Sequence, residues 1–137
     1  GHPGMYVEIN QDGFSYGCGF YYASTAYMGC LRERILAGDG AFQAAQEAYL
    51  GQKVFSMEGD CYKRPRYGHR SPEEQLWLER RGISFTADSH DFPLLFSPQL
   101  PEKLAQDMRL LFPVYRFLES TAQEVLRRET EQGLWQR

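Results

Sequence analysis

Residues 5–22 read MYVEINQDGFSYGCGFYY, and this stretch decides the fold. Met5, Val7 and Ile9 alternate with Tyr6, Glu8 and Asn10, the period of two that sends successive side chains to opposite faces of a strand. Asp12-Gly13 follows, a dipeptide that favours a hairpin because both of its positions tolerate φ > 0. Residues 14–22 then form the returning strand, with Phe14, Tyr16, Cys18, Phe20 and Tyr22 on one face and Ser15, Gly17, Gly19 and Tyr21 on the other. Two glycines on one face weaken a strand unless something approaches the backbone closely. That neighbour is either a packed aromatic or helix, or a ligand beside Gly17, Gly19 and Tyr21.

Helices follow the hairpin. Ser24 and Thr25 are N-cap residues, Met28, Leu31, Ile35 and Leu36 recur at helical spacing, and Gly38 suits the C-cap. Asp39 starts a second helix carrying Phe42, Ala45, Tyr49 and Leu50, ended by Gly51. A short strand is expected over 53–57. Ser71, Pro72 and Glu74 read as a capped helix start, with Leu76, Trp77 and Leu78 as its apolar residues. Ile83, Phe85 and Ala87 alternate as another strand, and 88–100 reads as an irregular loop. Leu104, Met108, Leu111, Tyr115, Leu118, Ala122 and Val125 then form one apolar helical stripe, which Pro113 kinks or splits. The order predicts an α+β fold: an antiparallel or mixed sheet opening with a hairpin, helices packed on it, and a long C-terminal helix.

The 137 residues fit a single domain over 1–137, with a polar tail at 129–137. Aromatic residues reach 15%, which favours a packed core. The net charge of −3 argues against general nucleic-acid binding. Cys18, Cys30 and Cys61 are odd in number and form no Cys-x-x-Cys, the pattern of free thiols in a reducing compartment. No signal pattern opens the chain, and no apolar run approaches the ~20 residues that cross a bilayer. A soluble, cytoplasmic protein is expected, with no membrane partner.

Residues 63–70, KRPRYGHR, are the densest cationic stretch. Lys63, Arg64, Arg66 and Arg70 carry the charge, and the loop leads into the helix start at Ser71–Glu74. Cations beside the unpaired N–H groups of a helix end suit a phosphate or carboxylate. Tyr67 and His69 supply groups able to exchange protons. A solvated turn, neutralised by Glu58, Asp60, Glu73 and Glu74, is the competing reading. Other chemistry finds little support. Gly-x-Ser-x-Gly is absent, Cys18 lies in a strand, and Cys30 lies in a helical pattern. Gly17-x-Gly19 is an incomplete nucleotide fingerprint. Asp88, His90 and Asp91 fall in one short loop, and no His/Cys cluster has zinc spacing. No complete catalytic set is visible, and no cofactor or metal is expected.

The order of these pieces resembles a family of unknown function that is widespread in bacteria and fungi. The resemblance rests on Pro3-Gly4-Met5-Tyr6, Gly17-Cys18-Gly19-Phe20-Tyr21, Lys63-Arg64-Pro65-Arg66-Tyr67-Gly68, and Phe112-Pro113 with Phe117-Leu118, and it spans about residues 3–120. Members typically carry a preceding helical region and an Arg-Asp-x-Arg-Phe…Lys-x-Pro-Tyr segment. The resemblance therefore implies that this chain is the C-terminal portion of a longer domain. It implies no activity. Two functions follow from the residues themselves. One is a module that binds a small anionic ligand in a pocket beside the glycine strand and the basic loop, through Lys63, Arg64, Arg66, Tyr67 and His69 with Gly17, Gly19 and Tyr21. The other is an interaction or homodimerisation module that uses the apolar face of the C-terminal helix.

Overall fold

A computed structural model describes residues 2–20 and 22–135. Strands β1 (Gly4–Asn10) and β2 (Gly13–Gly19) form the hairpin, followed by helices α1 (Thr25–Leu36) and α2 (Gly40–Leu50). Then come β3 (Ser56–Glu58), α3 (Pro72–Leu78), β4 (Ser84–Ser89), a one-turn helix α4 (Phe92–Leu95), α5 (Leu100–Arg109) and α6 (Phe112–Trp135). The sheet is antiparallel throughout, in the order β1-β2-β4-β3. This is the α+β fold that the hairpin and the C-terminal stripe predict.

The hairpin turn differs in detail from its sequence signature. Asn10 pairs with Gly13, so the two turn residues are Gln11 and Asp12, and neither of them has positive φ. Gly13 itself opens β2 with φ 148°, and the Asn10 side chain accepts a hydrogen bond from the Asp12 N–H at 2.9 Å. β2 also ends earlier than its aromatic run suggests. Gly19, with φ 141°, turns the chain out of the sheet, although the Phe20 N–H still donates to the Ile83 carbonyl. Part of the expected loop at 88–100 is ordered: Asp91 caps α4 by accepting from the Leu94 N–H.

The helices cover one face of the sheet. Phe14, Tyr16 and Cys18 of β2, Met57 of β3, and Phe85 and Ala87 of β4 are buried against them. Trp77 sits at the centre, near Phe42, Tyr49, Phe85 and Phe117. Burial pushes the Cys18 thiol up to about 12, so it stays protonated. Two polar links brace the layers. The Tyr16 hydroxyl donates to buried Asp107 at 2.6 Å, and Arg34 reaches Asp39, Ser120 and Thr121.

Pro113 splits the C-terminal helix rather than merely kinking it. It takes a place in the first turn of α6, where a missing N–H costs little. The apolar stripe is core, which corrects the expectation of an interaction face there. Met108, Leu111, Leu118 and Ala122 are buried, and Leu104, Tyr115 and Val125 pack against the core. The apolar row left open is on β1 instead. Met5, Val7 and Ile9 pair with Cys18, Tyr16 and Phe14, so they share the helix-covered face. They nonetheless remain 45%, 46% and 70% exposed.

Candidate functional site

The opposite, polar face of the sheet answers the question raised by the glycines of β2. Tyr6, Gly17 and Thr86 are neighbours across three strands. The Tyr6 hydroxyl shares a hydrogen bond with the Thr86 hydroxyl, so the tyrosine side chain spans Gly17. A methyl group built on Gly17 would lie 1.8 Å from the Phe85 carbonyl oxygen. The close neighbours at Gly17 are therefore an aromatic side chain and backbone. Gly19 lines a hollow on this face together with Tyr6, Glu8, Ser15, Glu58 and Asp88. Tyr21 lies outside the described residues.

The larger concavity is an open cleft of about 1000 Å³. Three segments build it: Phe20, Tyr22, Ala23 and Thr25 with Met28 and Arg32 on α1, the loop from Gly59 to Arg66, and the approach to β4 at Arg81–Ser84. The sequence folds this way because the loop is tied to the end of α3. The Tyr62 N–H donates to the Glu79 carbonyl at 2.9 Å and the Arg81 N–H to the Asp60 carbonyl at 2.6 Å, flanking a bridge between Cys61 and Arg80. The Glu79 carboxylate then accepts from the Arg66 N–H at 2.9 Å and the Tyr67 N–H at 2.6 Å. This carboxylate is engaged by backbone donors rather than by the loop's cationic side chains.

The cations are arranged by further contacts. The Arg66 guanidinium stands 3.9 Å from the centre of the Tyr62 ring, and that of Arg32 stands 5.0 Å from it. Arg32 also donates to the Leu78 and Arg80 carbonyls. The side chains of Lys63, Arg64 and Arg81 have no ion pair or hydrogen bond among the described residues. Among the described residues, Asp60 is the only acid lining the cleft. At the opening, α1 begins at Thr25 with no acidic residue in its first turn. Ser24 caps the Tyr27 N–H, and helix geometry leaves the Thr25 and Ala26 N–H groups without intrahelical partners.

Lys63, Arg64 and Arg66 thus come together, but around this cleft rather than at the start of α3. That helix end is closed by its own residues: Ser71 caps it, and Arg70 pairs with Glu74 at 2.7 Å. Tyr67 turns inward and packs against the core, and exposed His69 lies beside it at 6.4 Å between ring centres. Neither lines the cleft. Arg32 and Arg81 escape a sequence reading because they lie on other elements. The one available signal for Arg81 is its place beside Arg80 at the end of α3. Chemically, the cleft offers positive charge, hydrogen-bond donors and the rings of Phe20, Tyr22 and Tyr62. Among the described residues, no group of three or more His, Cys, Asp or Glu is placed to hold a metal ion. Among them, too, no helix is long and apolar enough to cross a membrane.

A family model described as a conserved hypothetical protein, DUF2461, matches residues 1–117. The chain belongs to the DUF2461 family. The match takes in every element that lines the cleft and ends inside α6. Comparison with curated proteins and with solved structures gives no match. The DUF2461 assignment carries no function with it, so function has to be argued from the cleft.

Proposed function

We propose that this chain is a small-anion-binding module whose site is the cleft between the start of α1, the basic loop and the approach to β4. One observation carries the reading: Lys63, Arg64 and Arg81 converge on a concave surface where Asp60 is the only acid among the described residues. Cations without partners in a partly enclosed site favour an anion, and arginine adds a fork matched to carboxylate or phosphate oxygens. Free thiols at Cys18, Cys30 and Cys61 suit a reducing, cytoplasmic setting.

Thermal melting in phosphate, against chloride at matched ionic strength, tests the site. A ligand that binds only the folded state raises the midpoint, by the equivalent of about 2.7 kcal/mol at a hundredfold excess over Kd. The parent midpoint is expected to rise, and Arg64→Ala with Arg81→Ala to abolish the rise. No shift in the parent, or an equal shift in the double variant, overturns the proposal. Glu79→Ala gives a test of sign. Removing a negative charge would by itself strengthen anion binding. Because Glu79 holds the Arg66 and Tyr67 amides, the expected result is weaker binding.

A second reading, self-association, rests on β1. It is an edge strand with an exposed apolar row and neither Lys nor Pro within it to blunt pairing. The partner it fits is a second copy. Antiparallel pairing about Val7 sets Met5 opposite Ile9 of the copy and Glu8 opposite Tyr6 of the copy, so no like charges face each other. Light scattering is expected to show a dimer that Val7→Lys dissociates. A monomeric parent overturns this reading.

A further inference from the structure

We infer that the anion taken by this cleft is an oligophosphate, a run of two or more linked phosphates, rather than a single phosphate; this rests on the anion-binding reading above.

The first argument is charge. Among the described residues, Arg32, Lys63, Arg64, Arg66 and Arg81 line the cleft against Asp60 alone, an excess of four positive charges. Neither Glu79, which accepts from the Arg66 and Tyr67 amides, nor Glu74, which pairs with Arg70, forms an ion pair with these five side chains. One phosphate group carries about −1.5 to −2 at neutral pH. It would leave at least two of these charges uncompensated. Linked phosphates come closer to neutralising the set.

The second argument is placement. The cations come from three separate segments: α1, the basic loop and the approach to β4. The space between them, about 1000 Å³, stands at the upper end of small-molecule pockets, roughly 300–1000 Å³. A single tetrahedral ion can touch one of these walls well, whereas a chain of phosphates can touch all three. The third argument is preparation. Arg32 is fixed by two backbone carbonyls, and both Arg32 and Arg66 lie over the Tyr62 ring. Less side-chain freedom is then lost on binding.

Oligophosphate reaches a protein either as an inorganic chain or as the tail of a nucleoside triphosphate. Phe20 and Tyr22 line the same cleft, so a nucleobase would have rings to meet. Calorimetric titration of the full chain with orthophosphate, pyrophosphate, tripolyphosphate and ATP at fixed ionic strength separates these cases. Kd is expected to fall by about tenfold or more from orthophosphate to tripolyphosphate. Its salt dependence should steepen along the same series, as more cations are engaged. Arg64→Ala with Arg81→Ala should flatten the series. ATP binding tighter than tripolyphosphate supports the nucleotide form, and weaker binding supports the inorganic form. Equal affinities for orthophosphate and tripolyphosphate overturn the inference and leave a single-phosphate site. Tripolyphosphate binding unchanged in the double variant overturns it as diffuse attraction. Binding of none of the four removes the anion-binding reading as well.

Discussion

Replacing Trp77 with alanine is expected to cost about 3–5 kcal/mol of stability. Trp77 is fully buried, at the point where the sheet, α2 and α6 meet. Its ring lies 5.3 Å from Phe85 of the sheet, 5.4 Å from Phe42 of α2 and 6.0 Å from Phe117 of α6. Removing it deletes the largest side chain of the cluster and leaves a void bounded by stiff rings that cannot collapse into it. With a urea slope of about 2 kcal/mol/M, the unfolding midpoint should fall by roughly 2 M. The indole N–H finds no hydrogen-bond partner among the described residues, so the native ring carries a desolvation cost of about 1–3 kcal/mol. Trp77→Phe keeps an aromatic ring in place and removes that orphan donor. It should therefore cost much less than the alanine variant. A loss below about 1 kcal/mol for Trp77→Ala would show that the cluster does not hold the layers together.

What the sequence discloses follows the range of the interactions. The β1–β2 hairpin is legible because its period of two and its turn are local, and the stripe from Leu104 to Val125 is legible because seven residues repeat the helical spacing. Strand β3 is only three residues long and pairs with β4 beyond α3, so its pairing is set by packing rather than by pattern. The destination of the C-terminal stripe is equally hidden: spacing shows that a face is apolar, not which surface covers it. The candidate site divides in the same way. Lys63, Arg64 and Arg66 stand out as a run of charge. Their direction does not, because it depends on Glu79 catching two loop amides and on Tyr62 seating two guanidinium groups. Arg32 and Arg81 become part of the site only once α1 and the approach to β4 are side by side. Gly17 shows the limit most clearly. Its presence signals a close neighbour, but only the strand order β1-β2-β4 identifies the neighbours as Tyr6 and the Phe85 carbonyl.

Gly17→Ala is expected to destabilise the fold by about 3 kcal/mol or more, the upper range for forcing one extra methyl into a packed site. The added Cβ would stand 1.8 Å from the Phe85 carbonyl oxygen and 2.9 Å from the carbonyl carbon. Both are backbone atoms, so no side-chain rotation relieves the contact. β2 lies between β1 and β4, and moving it away from β4 breaks the ladder at Gly17–Thr86. It also shifts Phe85, which packs against Trp77, and parts the Tyr6–Thr86 hydroxyl pair that crosses the glycine. The damage should therefore reach both faces of the sheet. Gly29→Ala is the matched control. Gly29 sits within α1 with nothing near its missing side chain, and alanine in a helix is favoured over glycine by roughly 0.5–1 kcal/mol. One methyl group is thus expected to lower the urea midpoint at Gly17 and to raise it at Gly29. A Gly17→Ala protein as stable as the parent would mean that β2 and β4 do not approach as closely as this structure has them.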